Sequence, residues 1–473
     1  MATPNPMQFA STEDWSVYLA GQADFPDGRL NTRLALVLRS LADRPLDAFP
    51  QATGSASQAK GLYRFLSNER LQFDDFLQPL VDTTVEACGG LPTLLSIQDT
   101  SAASYPTLSQ TTGLGKVNDS DVLGLHVHST IAVEPNGVTR GLLHQSIWSR
   151  PPEDEPKNAN HKQRPIEDKE SYKWLEGIEA AEAAFEGLEP AERPRLLHIF
   201  DREGDIHEVL QRISASPHGA IIRAAQNRAV ATDVDHPELN HAFDAVAAAP
   251  LIGVHVLEVP AKAGAKKRRA QLELRSVTLT ITPSSQYPGR QPVTWTLVEA
   301  RESNPPPGVE ALHWFLWTTE PATTKAEIIE ILRLYKLRWT IEDFHLTLKS
   351  GCKIEDLRLG TAERLSKAIC LYSAVALRIL AMRNLARQQP NASCEILLNR
   401  DQWHALYSYF HGKRPADHTK PPTIKEAVRW IARLGGHLNR KHDGNPGVRT
   451  LWRGWRDLAI LVAGYRAAQE THA

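Results

Sequence analysis

Cysteine is scarce in this 473-residue chain, and the four present, Cys88, Cys352, Cys370 and Cys394, are scattered. No pair has metal-type spacing, and nothing suggests a disulfide framework, so the expectation is reduced thiols in a cytoplasmic protein. Long apolar runs are also lacking. No stretch approaches 18 apolar residues, so no membrane span is expected. The opening MATPNPMQFASTEDW lacks the basic and apolar segments of a secretory signal. The third absence is an excess of charge of one sign: 54 Lys and Arg stand against 55 Asp and Glu, a formal net charge of −1. The strongly basic balance usual in a nucleic-acid-binding domain is missing. Basic asymmetry is local: from Arg400 onward Lys and Arg outnumber Asp and Glu 13 to 6, and residues 266–269 read KKRR. That run reads equally as a solvated hairpin tip or a phosphate contact. The length allows two to four domains with ample core.

What the chain does have is concentrated in LYKLRWTIEDFHLTLKSG, residues 334–351. Tyr335, Arg338, Glu342 and Lys349 occupy relative positions 0, 3, 7 and 14. On a helix turning about 100° per residue they fall within an arc of roughly 60°. One face then carries a carboxylate flanked by two cations and a phenol. Carboxylates hold divalent ions, and Arg and Lys hold phosphates. A solvated helix face with an i,i+4 ion pair between Arg338 and Glu342 is the plainer alternative.

Two further acids stand where apolar runs stop. LPTLLSIQDT reaches Asp99, and PRLLHIFDREGD reaches Asp201. Each run reads as a short buried strand closed by an acid, since Asp is depleted inside strands. Functional groups gather at strand ends in open α/β sheets, although either Asp could instead form a turn or helix cap. Asp205 is expected to cap a helix over IHEVLQRI. Asp99, Asp201 and Glu342 together would make an oxygen-only site for Mg²⁺, with Mn²⁺ able to substitute. Two such ions about 4 Å apart serve phosphoryl transfer. His207 and His345 lie near these acids in sequence and are read as structural. A paired-carboxylate glycosidase would have no use for the Arg/Lys/Tyr face.

With these segments the chain resembles bacterial DDE cut-and-paste transposases of the insertion-sequence-four family, and within it the Tn-five type. Tyr335, Arg338, Glu342 and Lys349 match its Y-x2-R-x3-E-x6-K motif, and SIQDTSAASY and FDREGDIH match the segments of the first two acids. KGLYRFLSN (60–68), GLLHQSIWSRP (141–151), EDKESYKWL (167–175) and LGGHLNRKHDGNPGVRTLWRGWRDL (434–458) extend the similarity over nearly the whole chain.

The resemblance implies an α/β, RNase H-like core with a β insertion, flanked by helical domains. Residues 1–70 would be an N-terminal domain that binds the element's ends. RLNTRLALVLRSLADRP and AKGLYRFLSNERL have helical spacing and carry Arg29, Arg33, Arg39, Lys60, Tyr63 and Arg64. Of these, Arg29, Arg33, Lys60, Tyr63 and Arg64 are candidate DNA contacts, with a snorkelling amphipathic surface as the alternative. Residues 71–372 would be the catalytic core. STIAVEPNGVTRGLLHQSIWSR predicts two strands joined at Pro135–Gly137, residues 149–170 a loop, and 226–250 a loop with a short helix. VHVLEV, QLELRSVTLTI, VTWTLVEA and HWFLWTT predict the insertion, about 225–318. Residues 373–473 would be a helical dimerisation domain, interrupted at 412–423. The apolar residues of TIKEAVRWIARLGGHL would serve either pairing of protomers or an ordinary core.

The resemblance also implies roles. Asp99, Asp201 and Glu342 would be catalytic metal ligands, and Tyr335, Arg338 and Lys349 would contact phosphates near the scissile position. Trp314 would stack on a nucleotide turned out of the duplex, and Trp339 would lie near the DNA end. Core packing is the alternative for both tryptophans. Arg223, closing GAIIR, is a further DNA contact. Leu346 stands where the family often has another cation. The expected activity is metal-dependent cleavage of double-stranded DNA at transposon ends through a hairpin, followed by strand transfer, in a nucleoid-associated synaptic homodimer. A nuclease without strand transfer and a non-catalytic DNA-binding derivative are the alternatives.

Overall fold

Ten strands join in one sheet, and their order decides where the functional groups fall. The computed structural model describes residues 11–117, 121–150, 164–231, 238–259, 267–283, 289–416, 418–440 and 443–470. The chain begins with α1 (Thr12–Gly21), α2 (Gly28–Asp43), α3 (Phe49–Ala52), α4 (Ala56–Leu66) and α5 (Phe73–Cys88). Side chains of Ser11, Asp27 and Ser55 accept first-turn amides of α1, α2 and α4, which fixes where those helices start. Next come β1 (Thr93–Ser104), β2 (Gly115–Lys116), β3 (Leu123–Val133) and β4 (Thr139–Trp148). The expected turn joins β3 to β4, with Gly137 at φ +92° and its N–H donating to the Glu134 carbonyl. Then follow α6 (Lys173–Ala183), β5 (Arg195–Phe200), α7 (His207–Ser214), β6 (Gly219–Arg223) and α8 (Ala242–Ala248). The loop expected over 149–170 falls largely on residues 151–163, outside the described set.

The insertion strands are β7 (Gly253–Val259), β8 (Arg268–Ile281), β9 (Val293–Glu302) and β10 (His313–Thr318). Helices α9 (Lys325–Lys336), α10 (Trp339–Leu346), α11 (Ala362–Gln388), α12 (Arg400–His411), α13 (Ile424–Leu434) and α14 (Val448–Glu470) complete the chain. The strand order β4-β3-β1-β5-β6 has three antiparallel strands followed by two parallel to β1. This is a mixed α/β core as expected. The insertion is not a separate layer: β10 pairs antiparallel with β6, so β7–β10 extend the same sheet.

Alternation along the strands separates two cores. Leu95, Ile97, Leu197, Ile199, Ile221 and Leu316 face the helices α9–α11. Phe200, Ala220, Ile222, Trp295 and Trp317 face α6–α8.

Two expectations are corrected. Strand β1 does not end at Asp99 but runs on to Ser104. The segment 334–351 is not one uniform helix. A tight turn at Leu337–Arg338 separates α9 from α10, and Thr347–Gly351 is a π turn. The expected boundary at 372/373 lies within α11, which runs 27 residues without a break. Helix α11 is long and apolar enough to cross a membrane by length and composition, and its apolar span is wholly buried against the other described elements.

Candidate active site

Register and alternation place the first two acids side by side. Ile97 of β1 is opposite Ile199 of β5, and Ile199 is opposite Ile221 of β6. Two residues further along each chain come Asp99, Asp201 and Arg223, in a row across the sheet and on the face that α9–α11 cover. Arg223 is itself opposite Leu316 of β10. Asp201 follows the last residue of β5 and starts a tight turn, accepting the Glu203 N–H at 2.8 Å.

Asp99 remains within β1 because only one edge of the strand is still occupied. It is opposite Ser129 of β3, while pairing with β5 has already stopped at Ile97. A buried polar chain fixes the opposite face of the strand. Thr100 Oγ1 is 2.9 Å from His128 Nδ1, and His128 Nε2 is 3.0 Å from Gln98 Oε1. Gly177 of α6 packs so closely on Gln98 that a Cβ there would meet its amide oxygen at 2.5 Å.

Helix α10 brings the third acid from above the sheet. The Arg338 guanidinium pairs through Nη2 with Glu342, and its Nη1 lies 3.9 Å from Asp99 Oδ2. Asp343, beside Glu342, pairs with Arg383 of α11, which ties α10 to the core helix. Burial, with the charges of Asp201 and Glu342 adding to it, pushes the Asp99 carboxyl up to about 7. The three acids therefore act on one another. Among the described residues no three His, Cys, Asp or Glu side chains already form a cage for one ion; Arg338 bridges Asp99 and Glu342 instead. The donor set nonetheless fits a hard divalent cation. It is oxygen-only, and a cation would relieve the repulsion that disfavours the Asp99 charge.

The other motif residues surround this point. The Tyr335 ring is buried, 5% exposed, and Arg338, Arg223 and Asp201 all act on its hydroxyl. Burial raises that hydroxyl's pKa above the ordinary tyrosine range. Lys349 lies on the π turn 3.4 Å from Glu355, which also accepts the Ser104 N–H at 2.9 Å. Trp339 is 56% exposed, with the Arg338 guanidinium 5.2 Å from its ring centroid, so core packing is not its role. Trp314 is half-buried on β10, edge-on to Tyr335 at 6.5 Å. Leu346 packs partly against the core.

His345 and His207 are buried, the latter with Nε2 2.8 Å from the Gln291 carbonyl oxygen. Asp205 is not a helix cap; Ile206 holds that position. Asp205 is buried instead, paired with Arg228 at 2.7 Å and accepting the Ala225 N–H. In the KKRR run, Lys267 pairs with Glu258 and Arg268 with Glu302 at the β7–β8 hairpin; Lys266 lies outside the described residues. Sequence reasoning missed Asp343–Arg383, Glu355 and the Thr100–His128–Gln98 chain. Asp343–Arg383, Glu355–Ser104 and the His128 contacts join elements distant in sequence, so spacing carries no signal for them.

At the N-terminus, Lys60, Tyr63 and Arg64 of α4 are exposed. The Arg33 guanidinium of α2 lies so near Gly61 that a Cβ there would approach it to 2.8 Å. Arg29 is exposed and paired with Asp27 at 2.7 Å. At the C-terminus, Ile424, Ala427, Val428, Ile431 and Ala432 of α13 are buried within the domain, so the apolar stripe of that helix is core. Gly435 and Gly454 allow α13 and α14 to touch: a Cβ on Gly454 would lie 1.7 Å from the Ile431 carbonyl oxygen. Among the described residues of this C-terminal region, the exposed large apolar ones are Tyr409, Leu438 and Ile460, at 61%, 66% and 70%, around one cleft.

Comparison with known families agrees at both ends. Residues 12–71 match the transposase DNA-binding family, and residues 374–472 match the Transposase Tn5 dimerisation domain. Residues 72–373, which carry all three acids, lie outside both matches. The two matches support a DNA-binding transposase of the Tn5 type that pairs with a second copy of itself.

Proposed function

We propose that this transposase cuts the ends of its mobile element and joins them to target DNA, using Asp99, Asp201 and Glu342 as one catalytic centre. The adjacency of Asp99 and Asp201 across the β1/β5 register, with Glu342 reaching them through Arg338, carries this reading. Divalent ions held by these carboxylates, Mg²⁺ or Mn²⁺, would activate the attacking oxygen and stabilise the leaving one.

The chain's own residues position the DNA. The forked donors of Arg338 and the Lys349 ammonium suit the scissile phosphate, and Arg223 extends the cationic row beyond Asp201. Tyr335, held under Arg338, fixes the guanidinium's orientation. Trp314, edge-on to Tyr335, would stack on a nucleotide turned out of the duplex, and exposed Trp339 would lie near the DNA end; such stacking contributes roughly 1–3 kcal/mol per base. A single acid-lined centre can run first-strand cleavage, hairpin formation, hairpin opening and strand transfer, since all are phosphoryl exchanges differing in nucleophile.

Replacing Asp99, Asp201 or Glu342 by Ala is expected to abolish cleavage of the element's own inverted repeats in Mg²⁺, while end binding in a gel-shift assay persists. Full cleavage by any of the three overturns the assignment.

In this reading the synaptic pair forms through the face of Tyr409, Leu438 and Ile460, which lies within the dimerisation match and is not consumed by the domain's own core. The double variant Ile460→Asp, Leu438→Ser is expected to leave stability within about 0.5 kcal/mol. It should shift DNA-bound protein from dimer to monomer in sedimentation velocity. An unchanged dimer would exclude this face.

A further inference from the structure

We infer that Arg338 and a divalent ion compete for the same carboxylates, so that Arg338 holds down cation affinity until a DNA phosphate draws its guanidinium away. The inference rests on reading Asp99, Asp201 and Glu342 as an ion site. Its own basis is where the charge sits. The Arg338 side chain is only 9% exposed, with one amino group on Glu342 and the other 3.9 Å from Asp99. An arginine cannot shed its proton to make way, so its positive charge is permanent there. The guanidinium therefore supplies the counter-charge that an ion would supply, at the oxygens an ion would need.

The arrangement is also incomplete in a way that favours phosphate. The Arg338 Nε is buried with no hydrogen-bond partner. A guanidinium satisfies its fork best against an oxyanion that presents two oxygens, and a phosphate above Trp339 would offer them. Moving onto the phosphate releases Glu342 and lifts the cation away from Asp99. Lys349 is a natural contrast. It neutralises Glu355, which lies outside the acid triad.

The test is a Mn²⁺ titration of the full chain, followed by the electron paramagnetic resonance signal of free Mn²⁺. Without DNA, Arg338→Gln is expected to bind Mn²⁺ about tenfold or more tightly than the unaltered protein, because one cation within ion-pair distance of the ligands has been removed. Arg338→Lys, which keeps charge but lacks the fork, should fall between them and guards against misfolding of the first variant. Lys349→Gln should change affinity far less. Adding a duplex of the inverted repeat flanking the gene should raise affinity more in the unaltered protein than in Arg338→Gln, the signature of coupled sites. Equal affinities for unaltered protein and Arg338→Gln, or an equal rise in Lys349→Gln, overturn the competition and leave the acid site standing. Absence of Mn²⁺ binding in every protein, or binding undiminished by Asp201→Asn, overturns the acid site itself.

Discussion

The two sides of the candidate centre are built by different means. Asp99 lies in β1, opposite Ser129 of β3, and Asp201 directly follows the last residue of β5, so the paired strands that lead up to them carry both acids to one face. Glu342 belongs to a short helix bounded by a tight turn and a π turn, and its place depends on side-chain ion pairs. The paired strands beneath them bring the first two acids together. The third acid is only as well placed as Arg338 and the Asp343–Arg383 pair make it. The candidate centre thus rests on paired strands below and on side-chain ion pairs above.

The strongest test of that contrast is on the sheet side. Asp205→Ala strips the buried partner from Arg228 and leaves the Ala225 N–H unpaired, just beyond the turn that carries Asp201. A loss of about 3–5 kcal/mol is expected in urea unfolding, as for other broken buried pairs. Arg383→Met, on the helix side, should cost less, about 1–2 kcal/mol, because Asp343 is one-third exposed and water can take over its hydrogen bonds. Its cleavage rate should nonetheless fall by more than its DNA affinity, since Glu342 loses its anchor; equal falls would mean that α10 is placed by packing alone. Trp339→Ala should have the smallest effect on folding, within about 0.5 kcal/mol. DNA-end binding should weaken by about 1–3 kcal/mol in fluorescence anisotropy. A large drop in stability instead would mean that the ring supports the helix side rather than the DNA.

Much of the centre was legible in the residues. Apolar runs leading to Asp99 and Asp201 marked buried strands, and the spacing from Tyr335 to Lys349 marked a basic and acidic helical segment. Their convergence was not legible, because strand partners more than one hundred residues apart leave no trace in spacing. Three errors have physical causes. Asp99 was read as a strand end because Asp is depleted in strands, but with β5 gone from one edge the continuing SAAS segment pairs with β3 alone. The 334–351 face was drawn on an ideal helix, and the π turn changes the angular step before Lys349 is reached. Asp205 was taken for a cap because an acid before a helix usually is one; here a buried Arg228 from a loop claimed it.

Helix α11 ties these observations into one mechanical part. Ser373 bonds to Gln145 of β4, Asn384 to Thr139, and Arg383 to Asp343, while the dimerisation match begins at residue 374 on the same rod. At 1.5 Å per residue that rod is about 40 Å long. Arg383, which steadies α10 through Asp343, lies within that match, on the same unbroken helix. A load borne by the residues of the dimerisation match would therefore reach the candidate centre as a displacement of α10, which makes that region and the third carboxylate one mechanical unit.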